Sequence, residues 1–158
     1  MALSAYERAL RLLGQRQHFR ADLRRKLLAR GYEAEEVDAA LARCADGGYL
    51  DDEATARAFV AERQGRRGLG RARIAAELRR HGATGEAVTA ALAGVSDEDE
   101  RGRAATAAAR WRRLHGDDAA ALGRHLARKG FSRSAIVAVL RAIGAEETAA
   151  ELDAQPTD

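Results

Sequence analysis

Aromatic residues are scarce in this 158-residue chain, with three Phe, three Tyr and one Trp making up 4% of it. Its core must therefore be built from Ala, Leu, Val and Ile. Proline occurs once, and β-branched runs punctuated by turn residues are missing, which argues against a β-sandwich or barrel. Cys44 is the sole cysteine, so neither an internal disulfide nor a cysteine-built zinc site is possible. No stretch approaches the roughly 18 uninterrupted apolar residues of a membrane-spanning helix. The first residues, Met1–Arg8, show no charged-then-apolar export pattern. These absences set the expectation of a helix-rich soluble protein in a reducing cytoplasm.

Hydrophobic residues amount to 46% of the chain and charged residues to 32%, compatible with one or two small domains. Residues 1–143 hold all 27 Lys and Arg against 19 Asp and Glu, a net charge of +8. Residues 144–158 hold five acids and no Lys or Arg. The body is thus basic, which favours acidic partners such as nucleic acid or an acidic protein groove. Lys26 and Lys129 are the only lysines. That bias is consistent with genome composition and is no argument for arginine chemistry.

An internal repeat organises the chain. Gly31, Gly82 and Gly130 anchor three copies. Leu23, Ile74 and Leu122 stand eight residues before them, and Leu27, Leu78 and Leu126 four before. Val37, Val88 and Ile136 stand six after, and Leu41, Leu92 and Leu140 ten after. Residues four apart share a helix face, and glycine ends a helix by adopting the left-handed conformation at no Cβ penalty. Each copy therefore reads as two helices joined by a glycine turn and preceded by a first helix. Helices are expected over 4–14, 20–30, 33–45, 51–65, 70–81, 84–94, 96–115, 118–129 and 132–143. Ser4-Ala5-Tyr6-Glu7 has the form of a capping box, Asp51 or Asp52 caps the fourth helix, and Ser96 opens an acidic first turn. The fold expected is all-α: three tandem helix-turn-helix-like repeats, 1–49, 50–95 and 96–143, stacked into an elongated, curved rod. An acidic tail, 144–158, with Pro156, is expected to be disordered.

Catalytic and cofactor signatures are weak. His18, His81, His115 and His125 fall in three different copies and form no i, i+4 metal pair. His81 suits a helix C-terminus, and Asp51, Asp52 and Glu53 suit a helix start. Gly65-Arg66-Arg67-Gly68-Leu69-Gly70 is neither a P-loop nor a dinucleotide fingerprint. Cys44 reads as a small packing residue. Neither an enzyme nor a cofactor or metal is expected.

The segment 63–81 is the sharpest local feature, with Arg63, Arg66, Arg67, Arg71, Arg73, Arg79 and Arg80 against the single acid Glu77. Arg73 and Arg80, seven residues apart, share a flank of the helix roughly 100° from the Ile74 and Leu78 face. The cluster reads as a site for phosphates or acidic side chains, or as a solvated helix face. Copy one repeats the theme with Arg20, Arg24, Arg25, Lys26 and Arg30, and copy three with Arg124, Arg128, Lys129 and Arg133. A groove-reading third helix is disfavoured in copy one, where Glu33, Glu35, Glu36 and Asp38 would be repelled by phosphate. Phe19 and Phe131, beside turns, are candidates for exposed base-stacking residues, although burial tendency favours packing.

Tyr49-Leu50-Asp51-Asp52-Glu53, Ala56-Arg57-Ala58-Phe59-Val60, Arg66-Arg67-Gly68-Leu69-Gly70 and then Ile74, Leu78 and Gly82 resemble the RecX family of bacterial recombination regulators. Leu122, Leu126 and Arg128-Lys129-Gly130-Phe131-Ser132 resemble that family's last repeat. The resemblance spans about residues 4–143 and is most specific in the central copy. Copy three is alanine-rich, and the acidic tail lies outside the pattern. The resemblance implies a non-enzymatic negative modulator of the RecA recombinase, with roles in DNA repair, recombination and the SOS response. Such a protein binds RecA and its filament on single-stranded DNA and restrains filament growth, ATP hydrolysis, strand exchange and co-protease activity. The implied contacts are Arg66, Arg67, Arg73 and Arg80, with Arg24, Arg25, Arg124 and Arg128 secondary. Tyr49, Leu50, Asp51 and Asp52 are assigned to a structural junction. A monomer with weak direct DNA binding and no membrane association is expected. The competing readings are an autonomous basic DNA-binding protein and a helical adaptor for some other acidic protein.

Overall fold

The computed structural model describes residues 3–156. These form ten α-helices and no strand: α1 (Ala5–Leu13), α2 (Arg20–Leu28), α3 (Ala34–Asp46), α4 (Asp52–Arg67), α5 (Arg71–Arg80), α6 (Gly85–Leu92), α7 (Asp97–His115), α8 (Ala119–Arg128), α9 (Arg133–Ala142) and α10 (Glu146–Asp153). The helix starts follow local chemistry. The Ser4 hydroxyl accepts from the Glu7 amide while Glu7 reaches back to the Ser4 amide, completing the capping box. Ser96, Asp118 and Ser132 cap α7, α8 and α9 in the same manner, each accepting from an amide three residues on.

The helices pack into two units. One comprises Met1–Phe59 with Glu77–Ala91, the other Val60–Ala76 with Leu92–Asp158. The middle triplet of helices is therefore shared, since α4 and α5 each contribute residues to both units. In the first unit Ala9, Leu23, Leu27, Val37, Leu41, Cys44 and Leu50 form one buried apolar cluster. Cys44 is fully buried, and burial pushes its thiol up from the ordinary value. In the second unit Ala104, Ala108, Leu122, Leu126, Phe131, Ile136 and Leu140 belong to the core. The repeat positions Leu23, Leu27, Ile74, Leu78, Leu122 and Leu126 are at most 1% exposed, so their apolar side chains are removed from water.

One expectation is corrected, and one preference between alternatives is borne out. The tail after Gly144 is not frayed through its length, because α10 forms there. Ala149 is fully buried, Leu152 packs against the second core, and the Arg141 guanidinium binds Asp153 at 3.1 Å. The acids that suggested disorder lie partly at Glu146 and Glu147, the first turn of α10, where they oppose the positive end of the helix dipole. Phe19 and Phe131 are packed, as burial tendency favoured, and are not exposed for base stacking. They are 3% and 5% exposed.

Candidate functional site

Both units contain the same inter-helix construction, and it positions the basic residues. In the first, the α2 amide of Arg20 donates to the Asp52 carboxylate at 2.7 Å, a cap supplied from the start of α4. The turn at Gly82 (φ +89°) closes on the same end of α2, where a Cβ on this glycine would lie 2.4 Å from the Ala21 Cβ. In the second, the α5 amide of Arg71 donates to Glu100 at 2.9 Å, a cap supplied from α7. The turn at Gly130 (φ +83°) closes on α5, where a Cβ would lie 2.3 Å from the Arg73 nitrogen. The Gly70 and Ala72 amides donate to the Lys129 and Gly130 carbonyls at 2.8 and 3.1 Å. A glycine turn with no side chain thus brings its backbone onto the first turn of a second helix, and a carboxylate from a first helix satisfies the open amide.

The junction residues divide their tasks. Asp51 accepts from the Ala54 amide at 2.9 Å and caps α4, Asp52 caps α2, and Leu50 is buried with the first core. Tyr49 is 59% exposed, its ring lying against Gly47. Asp22, which is buried, and His81, which is half-buried, are in contact at 2.7 Å, and Arg25 also binds Asp22. Burial raises the Asp22 carboxyl, but His81 and Arg25 outweigh it and hold the group below the ordinary value. The His81 ring stacks on Phe19 and meets Phe59 edge-on, so this pair ties the end of α5 to the first turn of α2. His18 is pushed down to about 4 by burial and by the charges of Lys26 and Arg16. Among the described residues no group of three or more His, Cys, Asp or Glu is arranged to hold a metal ion.

The candidate arginines differ in how far they are committed. Arg24 grips Asp38 with two hydrogen bonds, Nε at 2.7 Å and Nη2 at 3.1 Å, and that bond holds Asp38 below the carboxylate range. Arg25 is engaged by Asp22. Arg66, Arg67, Arg80, Arg124 and Arg128 are exposed, and so is Arg73, which is itself engaged by a neighbour. Arg66, Arg67 and Arg73 belong to the second unit and Arg80 to the first. Arg66 and Arg67 line a cleft of about 190 Å³ together with Arg103, Arg110 and Lys129, all within the second unit. Lys129 donates to the carbonyls of Arg67 and Gly68 at 3.0 and 3.4 Å, and burial, followed by the Arg110 charge, lowers its pKa. Arg103 and Arg110, seven residues apart on α7, share a face. That spacing is visible in the sequence, but their proximity to Arg66 is not.

Comparison with known proteins decides the family. Residues 5–44 match the model of the RecX first three-helix domain and residues 51–92 that of the RecX second three-helix domain. A Regulatory protein RecX of Mycobacterium sp. (strain KMS) is 38% identical over 139 residues, covering 82% of this chain and 76% of that protein. The chain belongs to the RecX family. A Regulatory protein RecX of Xanthomonas axonopodis pv. citri (strain 306) is 49% identical over 87 residues, 55% of this chain and 53% of its own length. The chain thus spans about half of that relative. The crystal structure of RecX from Lactobacillus salivarius superposes with a TM-score of 0.80 at 19% identity, covering 89% of this chain and 94% of that one. A second crystal structure of regulatory protein RecX gives 0.78 at 24% identity, covering 87% and 70%. These two carry the RecX fold alone. No helix among the described residues is long and apolar enough to cross a membrane.

Proposed function

We propose that this RecX-family chain is a non-catalytic regulator of the RecA recombinase. It binds RecA and its filament on single-stranded DNA and restrains filament growth, ATP hydrolysis, strand exchange and co-protease activity. The observation that carries the reading is the 38% identity to a regulatory protein RecX over 82% of the chain. Residues 96–143 act as a third repeat beside the two matched domains, and the protein works as a cytoplasmic monomer. Arg66, Arg67, Arg73 and Arg80 are the principal contacts for acidic groups on the filament, because they are exposed and guanidinium suits carboxylate and phosphate alike. Arg124 and Arg128 are secondary. Arg24 and Arg25 contribute only when a partner displaces Asp38 and Asp22.

The test is the DNA-dependent ATP hydrolysis of the cognate RecA on single-stranded DNA, titrated with this protein at moderate salt and repeated with excess strand. Inhibition well below one molecule per RecA, unrelieved by extra DNA, is expected. No inhibition at equimolar protein would overturn the assignment. Inhibition abolished by extra DNA would instead favour an autonomous basic DNA-binding protein.

A further inference from the structure

The cleft between the end of α4, the middle of α7 and Lys129 stands apart from the other basic regions. Several arginines elsewhere pair with acids, Arg24 with Asp38, Arg71 with Asp97 at 2.7 Å, Arg112 with Asp117 and Arg141 with Asp153. Five cations, Arg66, Arg67, Arg103, Arg110 and Lys129, line this cleft, and no carboxylate of the described residues does. Asp99, one turn before Arg103, feels its charge, but it accepts from the Ser96 hydroxyl at 2.6 Å and is not part of the wall. Of the five side-chain donors buried without an acceptor among the described residues, three belong to cleft residues, Nε and Nη2 of Arg103 and the Gln64 amide nitrogen, and the others are the Nε atoms of Arg8 and Arg71. Buried donors are ordinarily satisfied, and like charges gathered at one place repel unless a counter-ion joins them. A single carboxylate would neutralise one cation of five, whereas a free multiply charged phosphate, or successive phosphates of one backbone, would neutralise more. A phosphate offers several acceptor oxygens, and guanidinium forks match its geometry.

We infer that this cleft is a binding site for a phosphate-class oxyanion, with Arg103 and Arg110 as one wall, Arg66 and Arg67 as the other, and Lys129 as the floor. Lys129 spends two of its three N–H groups on the Arg67 and Gly68 carbonyls, so it fixes the turn that carries the second wall. The phosphate comes either from a nucleic-acid backbone or from a free phosphate ion. The inference does not depend on RecA.

The test uses the full chain without RecA. Binding is measured by fluorescence anisotropy of a labelled 20-nucleotide oligo(dT), and separately by calorimetry with inorganic pyrophosphate. The double variant Arg103→Gln with Arg110→Gln is compared with Arg101→Gln with Arg113→Gln, which removes equal charge from α7 outside the cleft lining. The cleft variant is expected to lose tenfold or more in affinity for at least one phosphate source. If the oligonucleotide is that source, the slope of log K against log salt falls by about 0.7 for each phosphate contact removed. Loss for the oligonucleotide assigns the site to backbone phosphate, and loss for pyrophosphate alone assigns it to a free anion. Equal loss in the control pair, no binding of either source by the parent chain, or unchanged affinity of the cleft variant for both would overturn the inference. Should the double variant fail to fold by circular dichroism, Arg66→Gln with Arg67→Gln, at the exposed end of α4, reads the opposite wall by the same criteria.

Discussion

Replacing Gly130 by alanine is expected to destabilise the protein far more than the same change at Gly31. Both glycines end a second helix at nearly the same left-handed φ, +83° and +86°. The strain of placing a Cβ there is therefore common to both, about 1–2 kcal/mol, partly offset by the stiffer unfolded chain. Their surroundings differ. Nothing lies within 4 Å of a Cβ on Gly31, whereas a Cβ on Gly130 would sit 2.3 Å from both the nitrogen and the Cβ of Arg73. Relieving that overlap requires the turn to retreat by more than an ångström. The Gly70 and Ala72 amide bonds to the turn carbonyls would then be lost, at about 1 kcal/mol each. Gly130→Ala should thus cost at least about 2 kcal/mol more than Gly31→Ala. Gly82→Ala should fall between them, since its clash is with a methyl side chain. Urea unfolding followed by circular dichroism reads the difference as a shift in midpoint at constant slope. Equal midpoints for the Gly31 and Gly130 variants would refute the docking argument.

Other outcomes follow from the same geometry. Glu100→Ala removes the cap on the Arg71 amide and leaves Arg71 with Asp97, and should lower stability by about 1–3 kcal/mol. Urea unfolding is again the check, with no change counting against the cap. Asp52→Ala should cost about 1 kcal/mol through the Arg20 amide, read by thermal unfolding. His18 titrates near 4 in the folded protein against 6.5 unfolded, so the unfolded chain binds more protons between those values. Its contribution is intact above about pH 6.5 and is lost as pH falls towards 4, up to about 3 kcal/mol. His18→Gln should therefore flatten the stability profile between pH 7 and 4.5, and a parallel profile would exclude His18 as the cause. Arg66→Glu with Arg67→Glu should weaken inhibition of RecA ATP hydrolysis at least tenfold with unchanged helicity, and unchanged inhibition would remove these residues from the contact surface.

The repeat was legible because a period of four residues between Leu23 and Leu27, or Leu122 and Leu126, reports a buried helix face directly. The helix ends read well where a Ser or Asp precedes them, as at Ser4, Ser96 and Asp118. α10 escaped because its charge and Pro156 suggested solvent, while Ala149 and Leu152 bury too little to produce a periodic signal of their own. The three anchor glycines looked equivalent, yet Gly82 and Gly130 are required by a close approach that Gly31 does not make. That distinction depends on Ala21 and Arg73, far away in the chain. The cleft was half visible. Arg66 and Arg67 stand in the basic segment, but Arg103, Arg110 and Lys129 join them only through tertiary packing.

The borrowed caps also bear on how the chain is made. A nascent polypeptide leaves the ribosome from its amino end, so α2 emerges before Asp52, which lies 32 residues beyond Arg20. α5 likewise waits for Glu100, 29 residues beyond Arg71. α8 borrows nothing downstream for its start, because Asp118 caps it. Each early segment stays incompletely hydrogen-bonded during synthesis until the next one emerges. Protection from proteolysis should therefore arrive in steps, and ribosome-arrested chains too short for Asp52 to have left the exit tunnel should be cleaved faster than longer ones in which it has emerged.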